Sequence, residues 1–159
     1  MTGREELRIP KRPLTVTLWV HPEGPVVGCL FLAESGETGT LEDPLEVLNG
    51  PAPFIVVRRE GAPADPIRFY NKRAIVRVLC GPDEEEAWAA TAAQACELHL
   101  MDGTVLRGTV RHSLPPERAR LYDFFNLERE RFARIRLEDG EACLVNKAYV
   151  VAVIPRDEG

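Results

Sequence analysis

The chain carries one pattern twice. Pro44-Leu45-Glu46-Val47-Leu48-Asn49, then Phe54 and Asn71-Lys72-Arg73-Ala74-Ile75-Val76-Arg77-Val78, returns as Leu121-Tyr122-Asp123-Phe124-Phe125-Asn126, then Phe132 and Asn146-Lys147-Ala148-Tyr149-Val150-Val151-Ala152-Val153. A unit of roughly sixty residues used twice constrains architecture before any single residue does. Each copy is too small to bury much core alone, so the two are expected to share one. The first β repeat is placed at 14–80, a linker at 81–93 and the second β repeat at 94–155.

The periodicity inside each copy is that of strands. Leu14, Val16, Leu18 and Val20 alternate with polar residues and Trp19, as a half-buried strand requires. Cys96, Leu98 and Leu100 hold the same places in the second copy. Asp102-Gly103 predicts a tight hairpin, since both residues tolerate the positive φ such turns need. The return strands carry Gly28 and Gly108 at matching positions, which predicts a bulge or a sharp bend. Later strands begin at Phe54 and Phe132, and each pair closes on an Asn-Lys turn. In the first copy the polar loop Glu34 to Thr40 is followed by a turn ending at Asn49-Gly50, and in the second Arg118 to Phe125 can form a helix; one or two helical turns are expected, better formed in the second copy, with Asn126 closing that helix in left-handed geometry. Asp83 with Glu86 has capping-box spacing ahead of an alanine run, which predicts a linker helix at about 83–92. The expected fold is therefore mostly β: two tandem small β-barrel or half-barrel repeats with short helical insertions, packed by a pseudo-twofold.

The arrangement of a strand, an Asp-Gly turn, a return strand with a glycine and a basic turn before the last strand resembles the Sm/LSm family of small barrels, including bacterial Hfq. The residues that carry the likeness are Leu98 to Val110 with Leu144-Val145-Asn146-Lys147-Ala148-Tyr149-Val150. The insertion Asp123-Phe124-Phe125-Asn126 stands outside that pattern. It is similar to an uncharacterised bacterial family of small β domains with D-F-L-N and V-N-K signatures. The first copy departs from both: Pro22-Glu23 stand where the second has Asp-Gly, and Glu46 stands for Asp123.

Composition narrows the function classes. The formal net charge is −5, which argues against binding nucleic acid through bulk charge. No apolar run reaches the ~20 residues of a membrane helix, and Met1 to Leu7 lack the apolar stretch of a signal peptide, so a cytoplasmic protein with no membrane partner is expected. Cys29, Cys80, Cys96 and Cys143 form no C-x-x-C pair, and His21, His99 and His112 are scattered. Neither set offers ligand spacing, so no metal and no cofactor is expected. No nucleophile elbow, phosphate loop or zinc-protease motif occurs, and an enzyme is not expected.

Candidate binding residues are Asn71, Lys72, Asn146 and Lys147. Two of the three lysines fall in these turns. The Sm resemblance implies that such a basic turn touches RNA; the alternative is a self-capped turn whose Asn bonds its own backbone. Trp19 and Trp88 are candidate interface anchors, though Trp19 equally fits against the other half of the same chain. Asp123 and Asn126 read as helix-terminal residues bonding the backbone. Arg58-Arg59 and Arg118-x-Arg120 resemble the arginine element of a cyclic-dinucleotide site, but Glu34-Ser35-Gly36 lacks the rest of that motif. The leading expectation is a non-catalytic adaptor with a protein partner, acting as a monomer or homo-oligomer. The alternatives are an Sm-like RNA-binding protein and a small-ligand or cyclic-nucleotide sensor. The insertions at 34–43 and 113–120 differ between copies, and loops are where specific function concentrates.

Overall fold

The structure of the protein is a computed structural model. It describes residues 11–34, 41–61, 64, 66–83, 92–112, 120–127 and 129–156. The expected linker helix, Trp88 and most of the second insertion lie outside the described residues.

Among the described residues ten antiparallel strands form one sheet. In chain order they are β1 (Lys11–Val20), β2 (Gly24–Ala33), β3 (Phe54–Arg59), β4 (Ile67–Asn71), β5 (Ile75–Pro82), β6 (Ala92–Leu100), β7 (Val105–His112), β8 (Phe132–Leu137), β9 (Glu141–Asn146) and β10 (Val150–Pro155). Among the described residues two short helices, α1 (Pro44–Asn49) and α2 (Leu121–Phe125), precede β3 and β8. The first half thus runs through the same series of elements as the second. A 3-10 turn (Lys72–Ala74, Lys147–Tyr149) leads into the last strand of each.

Across the sheet the order is β10-β6-β7-β8-β9-β5-β1-β2-β3-β4. Each half contributes five neighbours in the same internal order, and β5 pairs with β9 to join them. Two sequence expectations are corrected by this order. The sheet is open rather than closed into barrels, because β4 and β10 lie at its ends. The halves are also not related by a twofold, because a twofold seam uses the same strand from both sides. Here the last strand of the first half meets the fourth strand of the second, a head-to-tail relation.

Each half is nevertheless strongly bent. Asn71 and Ile75 lie on β4 and β5, the two outer strands of a five-strand half, yet only four chain steps separate them. Four steps span at most roughly 14 Å, whereas four strand spacings in a flat sheet need about 19 Å. The connection closes only if the sheet curls. Gly28 and Gly108 stand where the curl brings backbones together. A Cβ on Gly28 would lie 2.6 Å from the Arg58 carbonyl oxygen, and one on Gly108 would come nearer still to that of Arg136. The pairing there shrinks to Gly28 with Arg59 and Cys29 with Arg58, and to Gly108 with Leu137 and Thr109 with Arg136.

The inner face holds two apolar clusters that interlock at the seam. Val16, Leu18, Leu30, Leu48 and Val57 of the first half enclose Phe132 and Leu144 of the second. Val76 of the first half is buried with Leu98, Val110 and Ile135 of the second, and Trp19 and Leu79 pack on that cluster. Polar bonds cross as well. Asn49 Nδ2 donates to the Phe132 carbonyl at 3.2 Å, and Phe132 N donates to Asn49 Oδ1 at 2.7 Å. Arg134 reaches Asp83 at 3.0 Å and Asp43 at 3.5 Å.

The helices differ from expectation in which is better formed. Asp43 caps α1 by accepting from Leu45 N at 3.0 Å, and Pro44 occupies its first turn. Arg120, at the start of α2, gives no side-chain cap. Asn126 has φ −98°, not left-handed; its Nδ2 instead donates to the Tyr122 carbonyl at 2.7 Å.

Candidate functional site

The Asn-Lys turns are built into the fold in parallel ways. Lys72 is 2% exposed. Its Nζ donates to the carbonyls of Val47 at 2.7 Å and Gly50 at 3.3 Å, which closes the end of α1. Lys147 Nζ donates to the Leu127 carbonyl at 2.7 Å, just past α2. Helix ends leave carbonyls without partners, and a lysine amine satisfies them. Burial lowers the pKa of both lysines from the ordinary value. The two asparagines cap the 3-10 turns: Asn71 Oδ1 accepts from Arg73 N at 2.9 Å, and Asn146 Oδ1 from Ala148 N at 3.0 Å. This geometry favours the self-capped turn over a basic surface for RNA at Lys72.

The two turns then diverge. Asn146 is fully buried at the seam, where its Nδ2 donates to the carbonyls of Ile75 at 3.0 Å and Lys72 at 3.4 Å. Asn71 occupies the same place on β4, at the open end of the sheet, and is exposed. Among the described residues nothing accepts from its Nδ2.

Trp19 is half-buried and packs on the second half's cluster, with the Arg77 guanidinium 3.9 Å from its ring centre. Arg77 is itself 9% exposed and reaches Asp102 and Thr104, both at 3.4 Å. The tryptophan therefore helps to lock the seam. Of the arginines in the cyclic-dinucleotide pattern, Arg58 stacks on Phe31, Arg59 pairs with Glu23 and Arg120 pairs with Asp123. Arg118 and Ser35 lie outside the described residues.

A charged cleft that motif searching missed lies on the second half. It has a volume of about 700 Å³, and its lining includes Arg107, Arg111, Arg136, Arg156 and Glu138. Beside it Glu97, 6% exposed, accepts from Arg156, from His99 Nε2 at 2.7 Å and from Arg107 Nε at 3.1 Å. Glu97 and Arg107 lie directly opposite across the β6–β7 hairpin. The Asp102-Gly103 turn sets that register, so this pair was open to inference from sequence; Arg156, brought in by β10, was not. The first half has no equivalent, because Val27, Phe31 and Gly81 stand at the places of Arg107, Arg111 and Arg156.

The hydrogen bonds from Arg156, His99 and Arg107 hold the Glu97 carboxyl down to about 2. A carboxyl depressed by folding adds stability that is complete above its ordinary value of about 4.5 and is lost as pH falls toward 2. Glu97→Gln is expected to melt below the wild type at neutral pH and to converge with it as pH drops through that window. A pH-independent gap in thermal melts would contradict this.

Three of the four cysteines are poorly suited to act as nucleophiles. Cys96 and Cys143 are buried and Cys80 is half-buried, and burial pushes their thiols up to about 11 for Cys96 and about 12 for the other two. Among the described residues no group of His, Cys, Asp or Glu could hold a metal ion, and no helix is long and apolar enough to cross a membrane.

The open ends of the sheet are the other distinctive surface. β4 exposes Ile67 and Phe69, and β10 exposes Val151 and Ile154. β4 and β10 each have one unpaired backbone edge. Unpaired edges are templates for strand addition, and natural sheets usually guard them with charge, proline or short length. No family model, curated protein or solved structure matches the chain.

Proposed function

We propose that the protein is a non-catalytic interaction module that engages an extended protein segment at an open sheet edge. The carrying observation is the apolar surface retained on β4 and β10, above all Phe69. Main-chain bonding to an added strand supplies affinity, and pockets for alternate side chains supply selectivity. The finer architectural reading, a pair of tandem Sm-like half-barrels, is supported by the identical element order of the halves and by the bend that each 3-10 turn demands. The test is affinity capture from the native host with the wild type and a Phe69→Asp, Val151→Asp double variant as baits. Prey retained by the wild type and lost with the double variant is the expected result; identical prey for both baits would count against an edge-binding module.

The arginine-lined cleft favours a second reading, RNA binding. Four guanidiniums around about 700 Å³ form a local positive site in an acidic chain, and arginine suits phosphate through its paired donors. This reading predicts salt-sensitive retention on RNA that Arg111→Gln weakens. Absence of retention at low salt would remove it.

A further inference from the structure

We infer that the arginine cleft of the second half is a binding site for a small phosphorylated metabolite, a phosphomonoester on a polar carbon skeleton. This occupant differs from RNA and has no part in edge capture.

Strand register builds the cleft. Ala95 lies opposite Thr109 across β6 and β7, and Thr109 lies opposite Arg136 across β7 and β8. On the other side of β6, one step past the Pro155 and Cys96 pair, Arg156 N donates to the Ala95 carbonyl at 3.0 Å. One row therefore crosses four strands as Arg156, Ala95, Thr109 and Arg136. Side chains alternate along a strand, so Arg107 and Arg111 share the face of Thr109 and flank it on β7. Arginines thus stand on four sides of a floor made by two small side chains. With strands about 4.8 Å apart and a rise of about 3.3 Å per residue, the ring measures about 14 Å across the strands and about 13 Å along them.

Two of the four guanidiniums are held in place. Glu97 Oε2 accepts from Arg107 Nε at 3.1 Å and from Arg156 Nη2, while Glu97 Oε1 pairs with His99 Nε2. Among the described residues the terminal amines of Arg107 make no hydrogen bond. Donors fixed before a ligand arrives lower the ordering cost of binding. The charges of the site are Arg107, Arg111, Arg136 and Arg156 against Glu97 and Glu138, an excess of two positive. A phosphomonoester carries about −1.5 to −2 at neutral pH and presents three acceptor oxygens. Guanidiniums grip such oxygens two at a time. The volume of about 700 Å³ falls within the ~300–1,000 Å³ of small-molecule pockets, which leaves room for a carbon skeleton. Among the described residues none that lines the cleft is aromatic, whereas proteins hold single-stranded RNA largely by stacking bases on aromatic rings.

The first half shows the same framework without the site. The matching row there is Gly81, Thr15, Cys29 and Arg58. Thr15 Oγ1 lies 3.6 Å from Cys29 Sγ, and Arg58 stacks over Phe31, the counterpart of Arg111, at 5.5 Å. The bend and the strand pairing form with Val27, Phe31 and Gly81 in place of three of the arginines. Gathering like charges costs stability, so the fold alone gives no reason for the second half to place arginine at all three positions. An anionic ligand does.

The probes are glycerol 3-phosphate, ribose 5-phosphate and glucose 6-phosphate, titrated calorimetrically into the whole chain. Ribose, inorganic phosphate and a short single-stranded RNA run alongside. At least one ester is expected to bind one to one and to raise the melting temperature, with inorganic phosphate weaker and ribose inert. Arg111→Gln and Arg156→Gln should each weaken that ester at least about tenfold, as loss of hydrogen bonds to a charged group implies. Arg58→Gln, at the matching place in the first half, should leave it unchanged. Arg156 is exposed at the end of β10, so its variant carries the test even if Arg111→Gln fails to fold by circular dichroism. Absence of binding by all three esters overturns the site, and so does equal weakening by Arg58→Gln. Inorganic phosphate bound as tightly as the best ester marks a trap for any anion and overturns the metabolite. RNA bound through Arg156 with every ester inert gives the cleft to RNA instead.

Discussion

Gly108→Ala is expected to destabilise the protein by at least about 3 kcal/mol, because a Cβ there runs into backbone rather than into a yielding side chain. The obstacles are the carbonyl oxygen and carbon of Arg136 and, at 2.9 Å, Cγ1 of Ile135. Ile135 is fully buried, so it has no room to retreat. For a chain of this size, 3 kcal/mol corresponds to roughly a 6–12 °C fall in melting temperature. Gly28→Ala should act in the same direction with a smaller effect, since its nearest backbone atom is 2.6 Å away. Thermal melts of the two variants check both the size and the order. A Gly108→Ala protein that melts with the wild type would mean that β7 and β8 do not approach as closely as described.

The second large effect concerns the seam. Residues 1–82 expressed alone are expected to lack a cooperative unfolding transition. The first half's cluster loses Phe132 and Leu144, which are buried at 0% and 1% exposure. Removal of a buried Phe costs about 3–5 kcal/mol and of a buried Leu about 2–5, so the two together reach the stability of a typical domain, about 5–15 kcal/mol. The loss of the Asn49 bonds to Phe132 frees one end of α1 in addition. Circular dichroism melts and urea titrations of the fragment would show a broad, non-cooperative change. A sharp transition in the fragment would establish independent halves.

Sequence order and packing reveal different parts of this molecule. Hairpin registers were legible because they depend on residues a few positions apart: Asp102-Gly103 fixes β6 against β7, and Glu97 against Arg107 follows. The recurrence of Gly28 and Gly108 pointed to a bulge or a sharp bend, whereas what the glycines admit is the close approach of the Arg58 and Arg136 carbonyls, which the sequence does not name. The Asn-Lys turns were visible as turns. That Lys72 is buried, with its amine closing α1, was not visible, because Val47 and Gly50 come near it only once the half has curled. The choice of β9 as the neighbour of β5 was equally hidden. Alternating apolar residues say that a strand has a buried face, but they do not name the strand beside it. The expected twofold failed for this reason: the repeat specifies two similar units and leaves their relation to packing. The arginine cleft was missed because its members come from β7, β8 and the residue after β10, with no shared spacing along the chain.

The seam also orders events in time. β1 and β2 can meet as soon as both have been made, and so can β3 and β4, because few residues separate them along the chain. Val78 must wait for Leu144. Long loops are entropically costly to close before their contacts form, so pairings distant in sequence come late in folding. On a ribosome the first half therefore emerges with both of its outer strands bare. During that interval β5 faces any nascent or finished chain that presents a β9 of its own, and an exchange of halves between molecules becomes a competing outcome. The connection that gives the native sheet its width thus sets a kinetic contest between pairing within a chain and pairing between chains.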